Sequence, residues 1–437
     1  MQKIKNWLQQ NTPVLLLLFV LAVGLTGAIN ADVSKVIYGL SLVAFLIFCF
    51  NDIKLWIQQH SEAKTYFKIL VFFTLYGFLL IAVWSFLPNK YNLKPTYGGI
   101  EELLFNYVLV PFFSLVIGLY LNQKMFERAM MLFSVCTALS GLFLLFVYFD
   151  LHILLNTPAV FFDNVLQCRF MSCGNRVSWI AILLKDYSFF PALGALVAAP
   201  FIVKYKGWYK LLAIVLLLIN TLLLFLTINR GTIIGFVLAL LIMFFYSLRN
   251  FGWRKKILYS LGGIILCYIV IRTIPQSISD RFIEIFTEGE AFFLNGDASH
   301  SVSIRLTIWK ALLSHAHDFW LFGDGPIYAT QKLRLYLTDA GFDWYVQTGF
   351  IYHNQYLAYF HHYGIAGLLF LPVMLLYPIY AMIKQRKFSA ILTGILLLFL
   401  FALVEDRYLA KATIVPLLFF VYFSFFQLDK WRAVEHK

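Results

Sequence analysis

Residues 208–248 read WYKLLAIVLLLINTLLLFLTINRGTIIGFVLALLIMFFYSL. Two apolar runs, 210–228 and 231–248, are separated only by Asn229 and Arg230. A helix crossing ~30 Å of hydrocarbon needs about 20 mostly apolar residues, so this stretch predicts two membrane helices joined by a tight turn. Further runs lie at 13–30, 36–51, 66–87, 102–121, 129–150, 187–203, 257–274, 354–382, 388–404 and 412–428. The expectation is an all-α polytopic membrane protein with about twelve transmembrane helices. Residues 52–64 mix Ile53, Leu55 and Trp56 with Asp52, Lys54, Gln58 and Gln59 and read as an interfacial stretch. Lys3 and Lys5 precede the first run, which is read as a retained signal-anchor because no small-residue cleavage site ends it.

Composition agrees. The chain of 437 residues is 61% hydrophobic and only 13% charged, whereas soluble domains run near 45–50% and about 25%. A soluble enzyme is excluded by this, and disorder by its opposite signature. The net charge of +13 would suggest nucleic acid on a soluble chain. With the N-terminus placed in the cytoplasm, 20 of the 35 Lys and Arg fall in inner segments, and the short outer loops keep six (Lys35, Lys90, Lys94, Arg230, Arg407 and Lys411). The rest lie in long outer segments, which the positive-inside rule exempts. The charge therefore encodes orientation, with both termini cytoplasmic and no nucleic-acid partner. The expected organisation is nine spans over 1–274, a large partly helical periplasmic loop over 275–353, and three spans with a cytoplasmic tail over 354–437.

Arg230 stands in Thr227-Ile228-Asn229-Arg230-Gly231-Thr232. A cation there costs up to ~2.5–3.5 kcal/mol if drawn to mid-bilayer. It either snorkels to lipid phosphates or lines a polar site, and its planar fork suits phosphate oxygens better than an ammonium does. In the 275–353 loop, Ser303 is expected to cap a helix over 304–316 with Ile304, Ile308 and Leu312 on one stripe, and Arg305 and Trp309 as i,i+4 neighbours. Gly323-Asp324-Gly325-Pro326 reads as a tight turn.

The loop ends at Tyr352-His353-Asn354-Gln355-Tyr356-Leu357, where the chain returns to the membrane. A His at a helix N-terminus meets the positive end of the dipole, which favours the neutral imidazole that a general base requires. The competing reading is an interfacial His within an aromatic belt of Tyr352 and Tyr356, with Asn354 as a helix cap. His361 and His362 read as packing residues. Cys168 and Cys173 share an outer segment at 151–186. A disulfide is favoured there over free thiols by compartment, while no metal-ligand spacing accompanies the pair. No nucleotide, dinucleotide or metalloprotease motif occurs, so no cofactor and no metal are expected.

Taken in order, Asn229-Arg230-Gly231-Thr232, Arg305-x3-Trp309, Gly323-x-Gly325 and His353-Asn354-x-Tyr356-Leu357 resemble the O-antigen ligase and polymerase superfamily of bacterial inner-membrane glycosyltransferases. The resemblance covers about 225–370 by motif and looks closest to ligase. It implies metal-independent transfer of a glycan from undecaprenyl diphosphate, on the periplasmic side, to a lipid A-core sugar. In it Arg230 and Arg305 bind the diphosphate and His353 deprotonates the acceptor hydroxyl, with Asn354, Trp309 and Tyr356 in support. The Tyr-rich stretch 335–352 (Tyr336, Trp344, Tyr345 and Tyr352) departs from the family pattern and either stacks on sugar rings or sits in the headgroup layer. A polymerase extending lipid-linked repeat units is the first alternative. A transporter of a lipid-linked or anionic solute is the second, disfavoured because neither internal repeats nor mid-helix charges are seen.

Overall fold

The computed structural model describes residues 61–86, 123–148, 188–227, 229–248, 276–296, 299–342, 352–384 and 389–405, with isolated positions such as Leu103 and Tyr107 between them. Every regular element among the described residues is a helix: α1 (Ser61–Phe86), α2 (Gln123–Tyr148), α3 (Phe189–Lys204), α4 (Trp208–Thr227), α5 (Arg230–Leu248), α6 (Gln276–Asn295), α7 (Ser301–Ser314), α8 (Ala316–Phe319), α9 (Ala329–Asp339), α10 (Gln355–Lys384) and α11 (Ala390–Glu405). Four of them contain stretches long and apolar enough to cross a membrane: Lys64–Phe86, Phe126–Phe143, Trp208–Thr227 and Gln355–Lys384. Shorter apolar stretches lie in α3, α5 and α11. The expected spans at 13–30, 36–51, 102–121, 257–274 and 412–428 lie wholly or mostly outside the described residues, as do Cys168 and Cys173.

The helices show why composition alone marks a membrane protein. On α4, Leu211, Val215, Leu218 and Leu222 face outward, while Leu216, Asn220, Leu223 and Thr227 face inward. On α1, Phe72, Leu75, Leu79 and Val83 form a similar outward stripe. Both faces are apolar, and a continuous outward surface of large aliphatic and aromatic side chains suits lipid rather than water.

The chain divides into two compact units. One comprises Gly141–Thr307 and Ser389–Phe401. Its centre is α3, buried all round from Phe189 to Ala198 and packed against α4 and α5. Helix α5 meets α11 through small residues: Gly235 lies against the Leu398 backbone, and Gly394 against Ala239 and Met243. Such residues let membrane helices approach closely, where dispersion replaces the missing hydrophobic drive.

The other unit comprises Met1–Ser140, Ile308–Phe388 and Ala402–Lys437. Here α1 packs on α10 through aromatic rings. Phe73 stacks on Phe370 at 3.7 Å, and Tyr107 meets Phe370 edge-on at 5.2 Å. Helix α10 is not continuous. Gly364 has φ 65° and ψ −152°, a region essentially reserved for glycine, and the helix breaks there.

The peptide groups beside the break are bonded by neighbours. The Tyr76 hydroxyl donates to the Tyr363 carbonyl at 3.0 Å. The Ile365 N–H donates to the Trp320 carbonyl at 2.8 Å, and the Asp324 N–H to the His361 carbonyl at 2.7 Å. The turn after α8 is thus bonded into the break. No side chain fits between them, since a Cβ on Gly364 would lie 2.2 Å from the Leu321 carbonyl oxygen and one on Gly323 would lie 2.4 Å from that of His362.

The 275–353 segment holds more structure than its sequence pattern predicts. Four helices, α6 to α9, lie in it. Helix α7 starts at Ser301 rather than at 304, so Ser303 is not its cap. The Ser303 hydroxyl reaches back to the N–H and carbonyl of His300, at 3.0 Å each, in the manner of the third residue of a capping box.

Gly364→Ala meets both the left-handed backbone and the Leu321 carbonyl. It is expected to destabilise the purified protein by at least about 3 kcal/mol, read as a large fall in the thermal midpoint in detergent. A midpoint within a degree of wild type would show that the break is not required.

Candidate functional site

The candidate site residues fall into two sets, one in each unit. In the first unit, Asn229, Arg230 and Thr232 open α5. The Asn229 side-chain oxygen accepts the Thr232 N–H at 3.2 Å and its carbonyl accepts the Ile233 N–H at 3.0 Å. Asn229 is therefore the helix N-cap, and Arg230 is the first residue of the helix. Thr232 in turn pairs with the Ser188 hydroxyl at 3.3 Å, ahead of α3.

Arg230 is only 8% exposed. Its Nη2 donates to Glu284 Oε2 at 3.0 Å. One helical turn along α6, Glu288 accepts the Val302 N–H at 2.7 Å and satisfies a free donor at the start of α7. Glu284 and Glu288 thus act on one side of α6, one on the guanidinium and one on the helix that carries Arg305. Neither glutamate was expected from the sequence. The signal was there in their i,i+4 spacing, but α6 itself was not recognised. Arg305 is half-buried on α7.

In the second unit, the start of α10 is capped by Asn354, whose side-chain oxygen accepts the Leu357 N–H at 3.1 Å and whose carbonyl accepts the Ala358 N–H at 3.1 Å. The capping reading of Asn354 is what the structure shows. Tyr352 and His353 precede it with φ of 28° and 47°, both left-handed. Tyr352 is fully buried and His353 half-buried. Trp309 donates its indole N–H to the Tyr352 carbonyl at 3.0 Å, which gives the Arg305-x3-Trp309 element a structural purpose. Tyr356 is half-buried on the first turn of α10.

Behind Tyr352 lies a polar cluster that sequence reasoning missed. The Tyr352 hydroxyl is bonded to His361 Nδ1 at 2.7 Å. His361 Nε2 is bonded to Asp324 Oδ2 at 2.8 Å, and the Tyr336 hydroxyl donates to the same oxygen at 2.7 Å. Lys332 Nζ forms an ion pair with Asp324 Oδ1, and the Trp84 ring covers the ammonium at 4.4 Å.

A carboxylate only accepts hydrogen bonds, so the proton lies on His361 Nε2; in the neutral ring Nδ1 then accepts from Tyr352. Burial pushes the Asp324 carboxyl up, but the hydrogen bonds from His361 and Lys332 and the charge of Lys332 outweigh it and hold the group below the usual carboxylate range. His361 and His362 are both buried. His361 is a bonded member of this cluster rather than packing alone. Tyr336 and Tyr352 are core residues and not a sugar-stacking surface.

The sequence signal for Asp324 was present but ambiguous. A carboxylate between two glycines reads as turn chemistry, and nothing local separates an exposed turn aspartate from a buried one. Among the described residues no group of three or more His, Cys, Asp or Glu gathers as a metal site.

Residues 212–371 match the family model described as O-antigen ligase. The matched segment runs from α4 into α10, taking in Arg230, Arg305, Trp309, Asp324, His353 and His361. No curated protein matches the chain.

The Arg230–Glu284 pair gives a stability prediction. Glu284→Ala removes a charged acceptor from a buried guanidinium and is expected to cost about 1.5–3 kcal/mol, read by thermal unfolding in detergent. Glu290→Ala, on the exposed side of α6, is expected to change little. Equal effects of the two would show that the pair contributes nothing specific.

Proposed function

We infer, from the match of residues 212–371 to the O-antigen ligase family model, that this protein is a membrane glycosyltransferase of the O-antigen ligase type. It moves a glycan from undecaprenyl diphosphate to a lipid A-core sugar hydroxyl at the periplasmic face of the inner membrane. The observation that carries the reading is the start of α10. A half-buried histidine in a left-handed turn directly precedes an Asn-capped apolar helix, inside the matched segment and within the His353-Asn354-x-Tyr356-Leu357 motif. The reading includes about twelve transmembrane helices, both termini in the cytoplasm and the 275–353 segment in the periplasm. The bias of lysine and arginine along the sequence supports that topology.

In the mechanism, His353 removes the proton from the acceptor hydroxyl. The oxygen attacks the anomeric carbon, the new glycosidic bond forms, and the bond from that carbon to the diphosphate oxygen breaks. Arg230 and Arg305 bind the diphosphate and stabilise the charge left on undecaprenyl diphosphate. Arg230 already bonds a carboxylate oxygen of Glu284, and that interaction is of the same charge-assisted kind a diphosphate oxygen would make. Asn354 and Trp309 support His353 through the helix cap and the Tyr352 carbonyl. Tyr356 lies on the adjoining turn. No nucleotide and no metal enter the reaction.

Reconstitution in proteoliposomes with lipid-linked glycan, in the presence of EDTA and without nucleotide, tests the reading. Wild type is expected to extend added lipid A-core. Extension of a second lipid-linked repeat unit instead would make the protein a polymerase, and a strict metal requirement would sink the arginine-based scheme. His353→Ala is expected to abolish transfer while still inserting into the membrane. Arg230→Lys is expected to lose at least about a hundredfold in rate, because a point charge does not replace a planar fork; near-normal turnover would return Arg230 to a lipid-anchoring role.

A further inference from the structure

Tyr352 and His353 are the non-glycine residues with positive φ among the described residues. A bulky side chain in the left-handed region costs on the order of 1–3 kcal/mol and persists only where its surroundings over-determine it. Tyr352 is held at both ends. Its carbonyl accepts the Trp309 indole N–H at 3.0 Å, and its hydroxyl is bonded to His361 Nδ1 at 2.7 Å.

His361 is itself held twice by one residue. Asp324 bonds its ring at Nε2 and, through the backbone N–H, its carbonyl. Lys332 supplies the countercharge to Asp324, so the ion pair adds no net charge to the interior. This chain of groups is costly to bury and stabilises only when complete. A phenylalanine at 352 and an aliphatic residue at 361 would occupy similar volume without those polar groups. Its polar character therefore calls for a purpose other than filling the core, and the residue next to its end is His353.

We propose that Asp324, His361 and Tyr352 form a positioning relay that holds the His353 backbone in its left-handed turn and so aims the imidazole at the acceptor hydroxyl. The proposal rests on the reading of His353 as the base. The three are positioning residues, since the relay reaches the reaction only through the turn. Misplacing a reacting group by about an ångström costs up to about a hundredfold in rate, while arginine binding of the donor diphosphate is untouched. Loss of the relay therefore lowers kcat and leaves KM for the donor unchanged.

The test uses the full chain in proteoliposomes with an undecaprenyl-diphosphate-linked glycan as donor. Variants Tyr352→Phe, Asp324→Asn and His353→Ala are compared for kcat, donor KM, thermal midpoint and hydrogen exchange across residues 352–358. Tyr352→Phe keeps the ring and removes only the hydroxyl. It is expected to lower kcat about ten- to a hundredfold at unchanged KM, with a midpoint only a few degrees lower because His361 Nδ1 loses a partner, and with faster exchange confined to 352–358. Asp324→Asn is expected to lower kcat likewise, with a larger fall in midpoint because Lys332 loses its countercharge; if it does not fold, Tyr352→Phe decides. Wild-type kcat in Tyr352→Phe beside an inactive His353→Ala overturns the relay and leaves the base assignment standing. A rise in KM at constant kcat also overturns it. An active His353→Ala overturns the base assignment and the relay together.

Discussion

A peptide group inside an apolar span has no water to bond to, so a break in the helix is tolerated only where protein supplies the missing partners. Helix α10 breaks at Gly364, and the surrounding structure of its unit is arranged to meet that requirement. Tyr76 of α1 takes the Tyr363 carbonyl, and the turn after α8 contributes both the Trp320 carbonyl and the Asp324 N–H. The glycines at 323 and 364 admit the close approach of the two backbones. Asp324 reaches the ring of His361 because its backbone is already tied to the same helix. The way the break is satisfied thus sets where the polar cluster lies.

Among the described residues, the buried arginine and the buried aspartate each have a partner of opposite charge. Arg230 is paired with Glu284, and Asp324 with Lys332. In a protein with so few charges, each pairing matters more than a surface ion pair does, because a lone charge taken out of water is expensive. The two start motifs also share a device. Asn229 and Asn354 each cap an apolar helix with a side-chain oxygen, and the residue proposed to carry chemistry is the immediate neighbour, Arg230 after one cap and His353 before the other. The cap sets the local backbone, and the neighbouring side chain takes its position from it.

Much of the helical content was legible. The expected spans at 66–87, 129–150, 187–203, 210–228, 231–248, 354–382 and 388–404 coincide with α1, α2, α3, α4, α5, α10 and α11, the largest differences being at the starts of α1 and α2, which begin at Ser61 and Gln123. Less of the loop was legible. Helix α6 alternates acidic residues with Ile283, Phe286 and Phe293 and carries Gly289, so its pattern is weak beside the spans. Ser303 sits inside α7 rather than at its cap, because His300 begins the turn and Ser303 reaches back to it. Tyr336 and Tyr352 looked like a headgroup or sugar-facing pair. They are buried instead, because Asp324 and His361 give their hydroxyls partners.

What the sequence determined by itself is whatever depends on neighbours along the chain. Span length and hydropathy, the asparagine caps and the family motifs all reside in windows of a few to about twenty residues, and they can be read without knowing the fold. What the tertiary structure decided is which distant groups meet. Glu284 lies 54 residues from the arginine it bonds, and Asp324 lies 37 from His361. Local pattern carries no information about those pairings. They arise because a buried charge and a broken helix each require a partner, and only the folded chain brings one within hydrogen-bonding distance.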